Sequence, residues 1–208
     1  METPDRGYTW LAQGEEPADR LTYAGLDDRA RAIAAALVGG VPPGERALLL
    51  HPPGLEFVAA FFGCLYAGVI AVPAYPPRSR RADPRLRSIA TDCRPRVVLT
   101  TQALLARREA LADQVPELAP ALWLDTETLD GRGGGDRGFE PSPGESGGIA
   151  FLQYTSGSTG TPKGVIVTHD NLLDNLEKIR LAFGQTPESV VVGWLPLFHD
   201  MGLIGNVL

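Results

Sequence analysis

At 208 residues the chain is long enough for one generous domain or two small ones, and a globule of this size buries roughly 70% of its unfolded surface. Hydrophobic residues at 44% and charged residues at 21% sit near globular averages, which excludes bulk disorder, collagen and coiled coil. A net charge of −6 without clustered lysines lacks the electrostatic footprint of a nucleic-acid binder, so no nucleic-acid partner is expected.

The opening residues carry no basic start followed by an apolar run, so a secretory signal is not expected. The longest charge-free apolar run, 57–72, contains Gly63 and Gly68 and stops at Pro73. It is short for a membrane span of about 20 residues and reads as core. Cys64 and Cys93 lie far apart with no CxxC spacing, which indicates neither a disulfide framework nor a structural zinc site. The reducing cytoplasm is the expected compartment.

In chain order, a short strand near 8–11 comes first. Thr22 then precedes Leu26, Ala30, Ile33, Ala34 and Leu37 at helical spacing, a pattern that stops at Gly39 and Gly40. The segment 46–51 reads as a buried strand, 55–67 as a helix and 69–75 as another strand. A helix is predicted around 84–93, a strand over 96–101, a helix from 102 to about 115 and a strand over 121–125. Strands alternating with helices predict an α/β fold, a largely parallel sheet with helices on both faces. The helix 55–67 is apolar nearly all round. Burial between layers is the plain explanation, and the wall of a lipid tunnel is the alternative.

Residues 130–148 are too rich in Gly, Pro and Ser to bury a core and read as a linker or long surface loop. They divide the chain into an N-terminal α/β subdomain, 1–129, and the start of a second subdomain, 149–208. Beyond them a strand is predicted over 149–154, a loop over 155–163, a strand over 164–168 and a helix over 170–183 with Asp170 as its cap. An apolar strand over 190–194 leads into WLPLFHDMGLIG. An apolar stretch stops at Leu208 with no solvated final turn, which suggests a piece of something longer.

The strongest chemical signal is YTSGSTGTPKG, residues 154–164. Its glycines let the backbone approach a bulky anion, its hydroxyls can donate to phosphate oxygens, and Lys163 supplies positive charge. Lysine is scarce here: Lys163 and Lys178 are the only two, against seventeen arginines, so a lysine at this place is not a compositional accident. The loop differs from a Walker loop, in which Gly precedes the lysine and Ser or Thr follows it, because Pro162 and Gly164 hold those places. The β-branched run after Gly164 makes it a strand-to-strand connection. The plain alternative is a flexible Gly/Ser turn.

YTSGSTGTPKG resembles the phosphate-loop signature of the AMP-forming adenylating enzymes, a superfamily with acyl-CoA synthetases, luciferases and peptide-synthetase adenylation domains. The segments 53–68, 71–77 and 194–205 are similar to the fatty acyl-AMP ligase branch. The resemblance covers nearly the whole chain, apart from the uninformative 130–148 loop. It implies an adenylate-forming α/β domain whose complete form activates a fatty acid with ATP and Mg2+ and hands the acyl group to an acyl carrier protein. Thr155, Ser156, Gly157, Ser158, Thr159, Gly160 and Lys163 would hold the β- and γ-phosphates. His199 would stand near the acyl carboxylate and the α-phosphate, where an imidazole can donate to developing negative charge. The competing explanation of His199 is a buried imidazole satisfied by a backbone carbonyl.

His169 reads as part of a helix start, His51 receives no assignment, and the basic tuft Arg78, Arg80 and Arg81 reads as a solvated loop. The resemblance also implies what is missing: an acidic residue for magnesium, an aspartate for the ribose and a mobile C-terminal domain with a catalytic lysine. These would belong to the remainder of the same polypeptide, so no metal ligand is assigned within the chain. The 208 residues alone are expected to fold but not to catalyse. A long-chain acyl-CoA synthetase, a peptide-synthetase adenylation domain and a non-catalytic truncated binding module remain the alternatives.

Overall fold

The computed structural model describes residues 6–12, 14–77, 83–129, 148–155 and 162–208. The first element is a hairpin, β1 (Gly7–Ala12) and β2 (Glu16–Thr22), whose second strand sequence reasoning missed. The outer part of β2, EPADR, is exposed and carries Pro17, so it shows no apolar alternation to betray a strand. The Tyr8 hydroxyl donates to the Val207 carbonyl at 2.6 Å, which ties this hairpin to the far end of the described chain. Burial, with a smaller push from Tyr23, raises the Tyr8 phenol to about 12.

Thr22 accepts from the Gly25 amide at 3.0 Å and so starts α1 (Tyr23–Val38), whose buried residues are the five that recur at helical spacing. A run of parallel units follows: β3 (Arg46–Leu50), α2 (Leu55–Tyr66), β4 (Ile70–Ala74), α3 (Pro84–Cys93), β5 (Val97–Thr100) and β6 (Leu122–Asp125). Between β5 and β6 the expected single helix is two, α4 (Gln102–Leu105) and α5 (Arg108–Gln114), and a 3-10 turn over Pro116–Leu118. The break falls at Ala106 and Arg107, where Arg107 adopts φ −103° and ψ 9° with no glycine or proline to announce it.

Beyond residue 147 the chain returns as β7 (Ile149–Thr155), β8 (Lys163–Thr168), α6 (His169–Phe183) and the single turn α7 (Asp200–Leu203). Thr168, not Asp170, caps α6. Its hydroxyl accepts from the Asn171 amide while the Asn171 side chain accepts from the Thr168 amide, a reciprocal box open only to the residue before the first helical turn. The strand expected over 190–194 does not form: these residues are irregular and pair with no strand among the described residues. Val190 and Trp194 are 86% and 88% exposed, and without a neighbouring strand their backbone groups have no ladder to join.

The six-stranded sheet runs β6-β5-β3-β4-β7-β8, parallel except for the antiparallel β7–β8 pair at its edge. Strands from both sides of the Gly/Pro/Ser-rich segment share it. The central strands are buried on both faces, which is why their sequences read as continuous apolar runs. Ala47, Leu49, Ala71, Val97 and Leu99 face α1 and α2, whereas Leu48, Leu50, Val72, Ala74 and Val98 face α3 and α5. Helix α2 is mostly core: Phe57, Val58, Phe61 and Cys64 are buried, and Phe61 meets Phe151 of β7 edge-on at 5.5 Å, while Leu55 and Val58 at its start also line a cleft.

Gly63 lets α2 lie against α1. A Cβ there would fall 2.6 Å from Ile33 Cγ2 and 2.7 Å from Ile33 Cβ. Gly63→Ala therefore forces the two helices apart, and we expect a loss of about 1–3 kcal/mol in urea unfolding, with the midpoint lowered and the slope unchanged.

A buried polar network joins four of these elements at the carboxyl ends of the strands. His51, following β3, is 3% exposed, and its Nε2 lies 2.9 Å from the Thr126 hydroxyl. That hydroxyl reaches Glu56 of α2 at 3.2 Å, and Arg29 of α1 pairs with the Glu56 carboxylate at 2.6 Å. The other ring nitrogen of His51, Nδ1, is buried without a partner, as is Arg29 Nε. Burial pushes His51 down to about 3, so the ring is neutral at physiological pH. The unfolded chain takes up this proton below about 6.5 and the folded one does not, so stability falls as pH drops from about 6.5 toward about 3. His51→Gln keeps an amide where Nε2 stands and cannot titrate. Its chemical unfolding should lose up to roughly 1.4 kcal/mol per pH unit less than the parent across that window.

Candidate functional site

The predicted phosphate loop connects β7 to β8, and the antiparallel register pairs Tyr154 with Gly164 and Thr155 with Lys163. Thr155 and Lys163 thus face each other across the mouth of the connection, both exposed. Ser156, Gly157, Ser158, Thr159 and Gly160 lie outside the described residues, as do Arg78, Arg80, Arg81 and 130–147. Among the described residues no carboxylate forms an ion pair with Lys163. An exposed ammonium opposite a hydroxyl is a donor set suited to an anion rich in oxygens.

Alternation along β7 sends its last residues to opposite faces of the sheet. Phe151 belongs to the α1/α2 side, and Leu152 and Tyr154 pack on the α3 side. Gln153 is 5% exposed and donates through Nε2 to the Phe198 carbonyl at 2.8 Å. Its Oε1 is buried with no partner. The Phe198 ring meets Tyr75, just past β4, at 4.8 Å. Together these contacts dock the residue before His199 onto the carboxyl ends of β4 and β7, the end where parallel α/β sheets bind ligands.

His199 stands at the N-cap of α7 and makes no side-chain cap bond. It is exposed, with its ring 4.7 Å from Phe198, so it is not the buried, carbonyl-satisfied imidazole of the competing explanation. His199, Thr155 and Lys163 are therefore gathered at one end of the sheet, with His199 tethered through Gln153. Sequence reasoning missed Gln153. The available signal was an amide inside the apolar strand IAFLQYT, where a buried polar group must be bonded.

Beside this end opens a cleft of about 1370 Å³, lined by Trp10, Val58, Tyr75, Leu173, Leu197 and Phe198 among others. Thr155, Lys163 and His199 are not among its lining residues, so the cleft adjoins the polar cluster without containing it. The exposed Val190, Val192 and Trp194 lie along it. Among the described residues no group of three or more His, Cys, Asp or Glu is disposed to hold a metal ion, and no helix is long and apolar enough to cross a membrane. Both cysteines are free and buried.

The medium-chain-fatty-acid–acyl-carrier-protein ligase JamA of Moorena producens is 41% identical over 207 residues, covering 98% of this chain and 35% of its own length. The long-chain-fatty-acid–AMP ligase FadD26 of Mycobacterium tuberculosis is 38% identical over 98% of this chain and 36% of its own length. The crystal structure of a fatty acyl-adenylate ligase from Legionella pneumophila, in complex with acyl adenylate and pyrophosphate, superposes with a TM-score of 0.84 at 41% identity. That match takes in 98% of this chain and 34% of that one. A peptide-synthetase adenylation domain at 20% identity shares the fold with a TM-score of 0.83. The chain thus spans about a third of the length of the relatives it matches. The family described as AMP-binding enzyme matches residues 2–208, and the chain belongs to it.

Proposed function

We propose that the chain is the N-terminal third of a fatty acyl-AMP ligase that activates a fatty acid with ATP and passes the acyl group to an acyl carrier protein. The observation that carries this reading is the facing of Thr155 and Lys163 across the mouth of YTSGSTGTPKG, at the sheet end where His199 is also held. Similarity to ligases of fatty acids supports the substrate class. The carrier-protein acceptor is supported by the likeness to JamA.

In this mechanism Lys163, Thr155 and residues Ser156, Gly157, Ser158, Thr159 and Gly160 hold the β- and γ-phosphates. A carboxylate oxygen of the fatty acid attacks the α-phosphorus in line, the bond to the β-phosphate oxygen breaks, and pyrophosphate leaves. The Lys163 charge offsets the negative charge gathering on that leaving group, and His199 donates to oxygen at the reacting centre. The carrier thiol then attacks the acyl carbonyl and AMP departs. Magnesium would add charge beside the phosphates, but none of the described carboxylates forms a ligand group for it, so no residue of this chain is assigned to the ion and no step is routed through it.

The part of the cleft next to Phe198 suits an acyl chain. The rest of the polypeptide, as long in the relatives as two further thirds, would cover Val190, Val192 and Trp194. Two free buried cysteines and the use of ATP support a cytoplasmic setting.

The full-length protein should exchange labelled pyrophosphate into ATP in the presence of a fatty acid. Lys163→Ala should lower kcat/KM for ATP by about a hundredfold, and His199→Ala should lower kcat more than KM. Exchange driven by an amino acid and not by a fatty acid would shift the reading to a peptide-synthetase domain. Transfer to free coenzyme A in place of carrier protein would shift it to an acyl-CoA synthetase, and no exchange with any carboxylic acid would leave a binding module. The isolated 208 residues should yield no acyl-AMP by mass spectrometry.

A further inference from the structure

The strand that delivers the phosphate loop is laddered to β8 but shares little registered pairing with the parallel part of the sheet. The register between β4 and β7 contains one pair, Ala71 with Phe151. Two residues on, the β4 position that would face Gln153 is Pro73, which has no N–H to give. Over its last three residues β7 therefore has no further registered pair with β4, and side chains add to its placement against the parallel sheet.

Helix α3 supplies them. Tyr154 is 2% exposed, and its hydroxyl donates to the Asp92 carboxylate near the end of α3. The Tyr154 carbonyl accepts from Arg85 Nη2 in the first turn of the same helix at 3.2 Å. Burial and the bond to Asp92 push the phenol above its ordinary range, so it stays a donor. On the returning strand Gly164 lies directly across from Tyr154. A Cβ on Gly164 would fall 3.0 Å from Tyr154 Cζ and 3.1 Å from its Oη, so the ring lies flat over bare backbone. The clamp thus grips both strands of the hairpin one residue before Thr155 and one residue after Lys163, and leaves those two side chains on the opposite face.

We propose that Asp92 and Arg85 are positioning residues that act through Tyr154 to set where Lys163 and Thr155 stand. This rests on the reading of Lys163 as a polyphosphate ligand. A substrate anion binds best to a cation already held in place, so loosening the clamp should cost affinity without removing any group that touches the anion.

Asp92 offers a discriminating test because its charge and its hydrogen bond predict opposite results. Removing a carboxylate near an anion site should tighten anion binding by charge alone, whereas removing the acceptor of Tyr154 should weaken it. Inorganic pyrophosphate binding to the full-length protein would be measured by calorimetry well below the melting temperature, with circular dichroism confirming that each variant is folded. The set is Asp92→Ala, Asp92→Asn, Tyr154→Phe, Gly164→Ala and Lys163→Ala. The expected result is a loss of about tenfold in Asp92→Ala, Tyr154→Phe and Gly164→Ala, with Asp92→Asn, whose amide oxygen still accepts, near the parent. If Lys163→Ala loses affinity while Asp92→Ala and Tyr154→Phe bind as the parent does, even with lowered melting temperatures, α3 is structural and the proposal fails alone. If Asp92→Ala and Asp92→Asn both tighten binding, charge is responsible and the proposal again fails; if both weaken it alike, the acceptor for Tyr154 is not what matters and it fails as well. If Lys163→Ala binds pyrophosphate as the parent does, the reading of the loop itself falls.

Discussion

A sheet of parallel strands cannot leave either face in water, and this double burial is the constraint on which the rest of the molecule depends. It requires helices on both sides, which α1 and α2 supply on one and α3 and α5 on the other. It also leaves the strand ends as the places where polar chemistry can sit. His51 and Thr126 occupy one stretch of the carboxyl edge and Gln153, Thr155 and His199 another. The first stretch is sealed and neutral. In the second, Thr155 and His199 are exposed, and Lys163 has no carboxylate partner among the described residues, so one sheet edge is closed at one point and open to ligand at another.

The same logic explains which features could be read in advance. Apolar runs such as RALLL and VVLT announce buried strands because both faces are core, and Leu26, Ala30, Ile33, Ala34 and Leu37 announce α1 because only one of its faces is. Features set by tertiary partners were hidden. Strand β2 shows no periodicity because most of it is wet, and the 102–115 helix breaks without a breaker residue. Val190 to Trp194 has strand composition but no strand beside it, since composition expresses a preference that only a neighbour's backbone can satisfy.

At the site, the glycines, hydroxyls and lysine of the loop were legible because anion chemistry needs those residue types close together in sequence. The supports were not. Asp92 and Arg85 lie 62 and 69 positions from Tyr154, and Phe198 lies 45 from Gln153, so no local pattern could link them. The one local trace is compositional: Gln153 is an amide among apolar neighbours, and Pro73 is a proline inside a buried strand. Gln153 marks where a side chain reaches out of the strand to Phe198, and Pro73 marks where β4 has no N–H to offer.

The bond from Tyr8 to Val207 joins positions 199 apart, the longest separation among the side-chain hydrogen bonds described. During synthesis the tyrosine of the β1–β2 hairpin is made 199 residues before the carbonyl that receives its hydroxyl. At about 5–20 residues per second, the hairpin is outside the ribosome for on the order of ten to forty seconds before that acceptor exists. Through that interval the hairpin has α1 and α2, which it contacts and which follow it in the chain, but the Tyr8 hydroxyl still lacks its native acceptor. The hairpin is thus packed early and tied late: this side-chain bond waits for residue 207, and until then the tyrosine hydroxyl must find another partner.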